Sequence, residues 1–175
     1  MAIYFLRHGE SEANLVGIFA GQKEDSPLTE LGIQQARIAA DELKSAKIDR
    51  IITSTLKRAY QTARIVAEKL GLQVEIDDRI IEYDMGALSG TPIRKVTSQE
   101  LVSSEGAEDP MEFKNRILSL FRQYKDSDET ILIVSHAGVD RMIEAIKQGF
   151  EPGLFYGLPP CPNAHAFELD LSWLN

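Results

Sequence analysis

Two short stretches carry most of the reactive chemistry in this chain: Arg7-His8-Gly9-Glu10-Ser11 near its start and Ser135-His136-Ala137-Gly138 toward its end. A neutral imidazole is a competent nucleophile and proton carrier near neutral pH. Arginine presents a fixed fork of N–H donors that matches oxyanions. Each histidine follows an apolar run, residues 2–6 and 130–134, and neither run alternates with polar residues. Such runs predict strands buried on both faces, which would deliver both histidines to one carboxyl edge of a sheet. Open α/β sheets bind ligands at that edge. Arg58 falls in the first turn of a helix predicted after a third apolar pair, Ile51-Ile52. A cation is poorly placed there unless it meets an anion. Two arginines, two histidines and a helix N-terminus converging on one crevice describe an oxyanion site, for which a phosphoryl dianion is the best match.

The elements that must position these groups are readable in outline. Thr29 reads as an N-cap, followed by Ile33, Ala36, Ala40 and Leu43 at helical spacing. Ser54 or Thr55 reads as the cap of the next helix, with Ala59, Ala63, Val66 and Leu70 as its apolar stripe and Gly71 as its stop. Residues 72–76 alternate as a peripheral strand. Residues 79–90 resist assignment, and residues 91–107 read as a short helix with an acidic loop. Asp109-Pro110 starts a helix with Phe113, Ile117, Leu120 and Tyr124 on one face. A further helix buries Val139, Met142, Ile143 and Ile146, and residues 164–171 read as a last strand. The alternation of strands and helices predicts an α/β fold with a mostly parallel sheet and helices on both faces.

Composition narrows the function classes. The 175 residues suit one domain, residues 1–175, able to bury a substantial core. A formal net charge of −8 argues against nucleic acid or an anionic membrane as partner. Cys161 is the single cysteine, which excludes an internal disulfide, and the three histidines lack metal-ligand spacing. No apolar segment reaches transmembrane length and no signal peptide is evident, so a cytoplasmic location is expected. His165, in an alternating strand, reads as structural.

Five blocks in order resemble the histidine phosphatase superfamily, the group that includes the cofactor-dependent phosphoglycerate mutases. They are Leu6-Arg7-His8-Gly9-Glu10-Ser11 with Asn14; Pro27-Leu28-Thr29 with Leu31-Gly32 and Gln35-Ala36; Thr53-Ser54 with Leu56, Arg58-Ala59 and Gln61-Thr62-Ala63; Glu82 with Gly86 and Gly90; and Val134-Ser135-His136-Ala137-Gly138-Val139. The resemblance implies a phosphoglycerate mutase-like, three-layer α/β/α fold. It implies His8 as the nucleophile that becomes phosphorylated, with Arg7, Arg58 and His136 holding the phosphoryl group and Asn14 assisting. It implies Glu82 as the proton donor to the leaving oxygen, with Glu10, Glu12 and Asp84 as rival carboxylates nearby in sequence. The expected partner is a small phosphorylated metabolite, with no cofactor and no metal; nothing in the sequence sets an oligomeric state.

The chain departs from the mutase pattern of that family. The tyrosine expected soon after the acid is Met85, and the later lysine is Ile93, beside Arg94 and Lys95. No paired arginines stand between Ser98 and Glu112. A site short of those cations should hold a bisphosphate poorly, so water should intercept a phosphohistidine. The expected activity is therefore metal-independent phosphomonoester hydrolysis. A mutase using Arg94 and Lys95 is the alternative, and a phospho-ligand binding module without turnover is the second. Gln22 and Lys23 are candidates to reach the crevice.

Overall fold

A computed structural model describes residues 2–94 and 96–174, so Lys95 lies outside the described residues. Strands β1 (Ala2–Arg7), β2 (Arg50–Thr53), β3 (Val74–Ile76), β4 (Thr130–Ser135) and β5 (Ala166–Glu168) form one sheet in the order β3-β2-β4-β1-β5. The first four run parallel, and β5 pairs antiparallel along the outer edge of β1. The helices are α1 (Glu12–Val16), α2 (Glu30–Glu42), α3 (Lys57–Leu70), α4 (Ser98–Val102), α5 (Pro110–Tyr124) and α6 (Ala137–Lys147). None is long and apolar enough to cross a membrane.

The two central strands explain their unbroken apolar runs. Ile3 and Phe5 of β1 and Ile131 and Ile133 of β4 pack into one core with α5 and α6. Leu6, Leu132 and Val134 point the other way, into a second core with the alanine-rich faces of α2 and α3. Both faces of the sheet are therefore covered, as parallel sheets require. Helix α2 follows β1 onto one face and α6 follows β4 onto the other, although β1 and β4 are neighbours. Chain segments that leave adjacent strand ends in opposite directions open a crevice between them.

The structure revises several local expectations. The N-cap of α3 is Leu56, with no side-chain cap of its own, rather than Ser54 or Thr55. Asp25, from the preceding loop, accepts from the Lys57 N–H at 2.7 Å in that role. The last strand shrinks to Ala166–Glu168; its start moves inward because Ala164 turns the chain with φ 51°. The segment that resisted assignment holds two 3-10 turns, Asp78–Ile80 and Gly86–Leu88. The short helix expected before residue 107 is α4, with a reciprocal cap between Thr97 and Glu100.

Candidate active site

Strand register brings the two histidines together. Arg7 pairs with Ser135, so His8 and His136 are the next residues out, and the His8 N–H donates to Ser135 O at 2.9 Å. Their rings lie 5.3 Å apart. Thr53 pairs with Val134, which sets Ser54 at the same edge, its Oγ 2.7 Å from His136 Nε2.

His8 is 3% exposed, and its Nδ1 lies 2.7 Å from Gly9 O. A carbonyl only accepts, so Nδ1 carries the hydrogen and Nε2 keeps an open lone pair. Burial first, then the Arg58 and Arg7 cations, hold the His8 imidazole well below its ordinary value, so it is neutral at pH 7. The loop beneath it is pinned by side chains from two helices. Thr62 of α3 accepts from the Gly9 N–H, Gln35 of α2 from the Glu10 N–H, and Gln61 of α3 from the Leu28 N–H. At Gly32 a Cβ would lie 2.0 Å from Glu10 O, so only glycine lets α2 approach this loop.

The guanidinium hydrogen bonds of both cations go to main-chain oxygens rather than to carboxylates. Arg58, 1% exposed, donates to Gly21 O at 2.8 Å and Glu24 O at 3.2 Å. Arg7 donates from Nη1 to Cys161 O at 2.7 Å, while its Nε is buried without a partner. His136 Nδ1 is likewise buried and unpartnered. Buried polar atoms are almost always paired, so unpaired polar atoms around one crevice mark where a ligand's polar groups go. Asn14 reaches the crevice through a second duty: it reciprocates the Ser11 cap of α1. Its Oδ1 accepts from the Ser11 N–H and Asn163 Nδ2, which leaves only amide hydrogens to offer.

Glu82 is 5% exposed. Its Oε1 accepts from the Tyr83 N–H at 2.8 Å and its Oε2 from the Gly138 N–H, at the start of α6, at 3.2 Å. A Cβ on Gly138 would stand 2.1 Å from Oε1. Gln22 and Arg116 both donate to the Glu82 carbonyl and fix its main chain. Glu10 is turned toward Thr29 and Asp84 toward the Gly86 N–H. Among the described residues lining the crevice, Glu82 is the one carboxylate.

The crevice encloses about 250 Å³. Arg7, His8, Asn14, Arg58 and Glu82 line it; His136 lies just behind, fully buried. Its outer wall is apolar, from Ile18, Phe19, Met85, Ile93 and Tyr156. Met85 and Ile93, the two positions at which the sequence departs from the mutase pattern, thus both stand on the wall. Arg94 lies by Glu100, and neither Gln22 nor Lys23 is among the described lining residues. His165 is exposed, stacks on Phe167 and is not among the described lining residues.

Sequence reasoning missed two residues. Arg141 lines the crevice with its guanidinium 4.3 Å above the Tyr156 ring. It sits one helical turn beyond Ala137 and Gly138, a spacing that could have flagged it. Ser54 carried no separate signal, because its position before a helix matches that of a cap.

The model of the histidine phosphatase superfamily (branch 1) matches residues 3–172. The chain belongs to that superfamily. A stretch of 100 residues is 42% identical to a probable phosphoglycerate mutase, GpmB, of Yersinia pestis, covering 57% of this chain and 46% of that protein. The match thus spans about half the length of such curated relatives. A mycobacterial glucosyl-3-phosphoglycerate phosphatase, solved with VO3, superposes with a TM-score of 0.82 at 25% identity, over 96% of this chain and 90% of that one. YhfR of Bacillus stearothermophilus shares the fold with a TM-score of 0.86 at 24% identity, over 98% and 91% of the two chains. The expected phosphoglycerate mutase-like fold is the observed one.

Proposed function

We propose that this histidine phosphatase, acting as one catalytic domain over residues 1–175, hydrolyses small phosphomonoesters through a phosphohistidine on His8. The observation that carries this reading is the His8 ring: Nδ1 is committed to Gly9 O and Nε2 is free, in a crevice whose nearby Arg7 Nε and His136 Nδ1 lack partners. The Nε2 lone pair attacks phosphorus in line with the ester oxygen, and the P–O bond to the alcohol breaks. Arg7, Arg58 and His136 hold the phosphoryl oxygens, with Asn14 assisting, and offset the charge that a metal would otherwise meet. Glu82 gives its proton to the departing alkoxide. It then takes one from the water that attacks the phosphohistidine, which frees His8 and releases inorganic phosphate.

A phosphoglycerate mutase reading is favoured by the 42% identity to GpmB. Against it stand Met85 and Ile93 on the wall, where mutases of the family are expected to carry polar groups for the substrate's second anion. Phosphorus NMR separates the two. The protein, in EDTA, is primed with 2,3-bisphosphoglycerate and given 3-phosphoglycerate with sugar and aryl monophosphates. Inorganic phosphate as main product is expected, and its formation should vanish in His8→Ala. Accumulation of 2-phosphoglycerate instead makes the enzyme a mutase. Turnover surviving in His8→Ala removes the phosphohistidine, and no turnover in the native chain favours a binding module.

A further inference from the structure

Ser54 stands two residues before the N-cap of α3 and does no capping: Leu56 takes that position and Asp25 supplies the acceptor. Ser54 is instead fully buried, with Oγ 2.7 Å from His136 Nε2 and no other hydrogen-bond partner for the hydroxyl among the described residues. The His136 ring is also fully buried, and its Nδ1 has no partner. Burial, then Arg58, His8, Arg116 and Arg7 around it, keep this imidazole well below its ordinary value, so it carries one N–H rather than two.

Two hydrogen placements remain. If Nε2–H donated to Ser54, the fully buried hydroxyl hydrogen would have no acceptor among the described residues. The Nδ1 lone pair would also add an acceptor to a site whose arginines serve an anion. If Ser54 donates to Nε2, the serine is satisfied and Nδ1–H is left as a donor awaiting an acceptor. We propose that Ser54 donates its hydroxyl hydrogen to His136 Nε2 and so fixes the Nδ1–H tautomer, whose N–H is reserved for a phosphoryl oxygen. Ser54 is thus a positioning residue that acts through His136. Its consequence for turnover rests on the proposed hydrolase, whereas the tautomer itself does not.

The chain has three histidines, so 15N-labelled protein gives a readable imidazole spectrum. Two-bond 15N–1H correlation should show His136 as Nδ1–H, with and without inorganic phosphate. In Ser54→Ala that preference should be lost and kcat/KM should fall on the order of 10²-fold, the scale of losing one preorganised donor. Ser54→Thr, which keeps the hydroxyl, should recover both. His136→Asn offers an amide N–H near the Nδ1 position without any tautomer. It should outperform His136→Gln, and adding Ser54→Ala to it should cost nothing further. An Nε2–H tautomer in the native protein overturns the proposal. So does an undiminished Ser54→Ala loss in the His136→Asn background, which would mean that serine acts by some other route. A native protein with Nδ1–H that hydrolyses no phosphomonoester would remove the hydrolase and leave the tautomer assignment standing.

Discussion

At the scale of single residues, the proposed acid, Glu82, is positioned by a missing side chain. Gly138 offers its N–H to Glu82 Oε2, and a Cβ there would meet Oε1 at 2.1 Å. In Gly138→Ala the carboxylate must swing away. Helix propensity favours alanine by up to about 1 kcal/mol, which offsets part of the clash and should let the variant fold. The loss should therefore appear in proton donation. Hydrolysis of alkyl phosphates, whose alkoxides need a proton, should slow on the order of 10²-fold, the low end of what a general acid contributes. Aryl phosphates, with better leaving groups, should slow much less. Glu82→Gln should reproduce that selectivity. Steady-state rates on a matched alkyl and aryl pair decide it, and equal slowing of both would take Glu82 out of the acid role. Sequence alone identified Glu82 among four neighbouring carboxylates only through the family resemblance. What the structure adds around Glu82, an N–H from a helix starting 55 residues later and a space too small for a methyl group, is long-range.

At the scale of elements, α3 is the piece on which the loop and the site meet. It carries Arg58 into the crevice and Thr62 under Gly9, and its first N–H is capped by Asp25 from the loop whose Gly21 and Glu24 carbonyls grip Arg58. Asp25→Ala should remove about 1 kcal/mol of stability, as loss of an N-cap does, read as a lower urea midpoint with an unchanged m-value. It should also raise KM, because the freed loop no longer fixes the two carbonyls that aim the guanidinium. A stability loss with KM unmoved would mean that Arg58 is aimed by α3 alone. The elements themselves were largely legible beforehand. The unbroken runs of β1 and β4 announced burial on two faces, and Thr29, Gly71 and Asp109-Pro110 marked helix ends that the structure keeps. The start of α3 was misread for a physical reason. A serine near a helix start looks the same whether its hydroxyl faces the helix or a histidine brought alongside by a different strand. Residues 79–90 were unreadable because their 3-10 turns are tied down by tertiary contacts, such as the Ala87 N–H on Glu105 O and the Ser135 hydroxyl on Ile80 O, rather than by any periodic pattern.

At the scale of the whole molecule, the site is built at the expense of acid stability. His8 and His136 are both buried and both held well below the ordinary histidine value, first by burial and then, chiefly, by Arg58. Below about pH 6.5 the unfolded chain protonates these imidazoles while the native chain refuses the protons. The unfolded state therefore binds more protons, and stability must fall as pH falls. The contribution is fully present above pH 6.5 and declines on the way down toward the depressed native values. Each such group costs up to about 1.4 kcal/mol per pH unit, so two give a slope approaching ~2.7 kcal/mol per unit below pH 6. Urea unfolding at a series of pH values from 8 to 5 measures this directly. His8→Asn, which removes one titrating group and keeps a polar side chain, should roughly halve the slope. If His8→Asn left the slope intact, His8 would not be held neutral by its surroundings. If instead the slope halves, the burial and the two arginines that keep His8, the proposed nucleophile, unprotonated are the same features that limit the fold in acid.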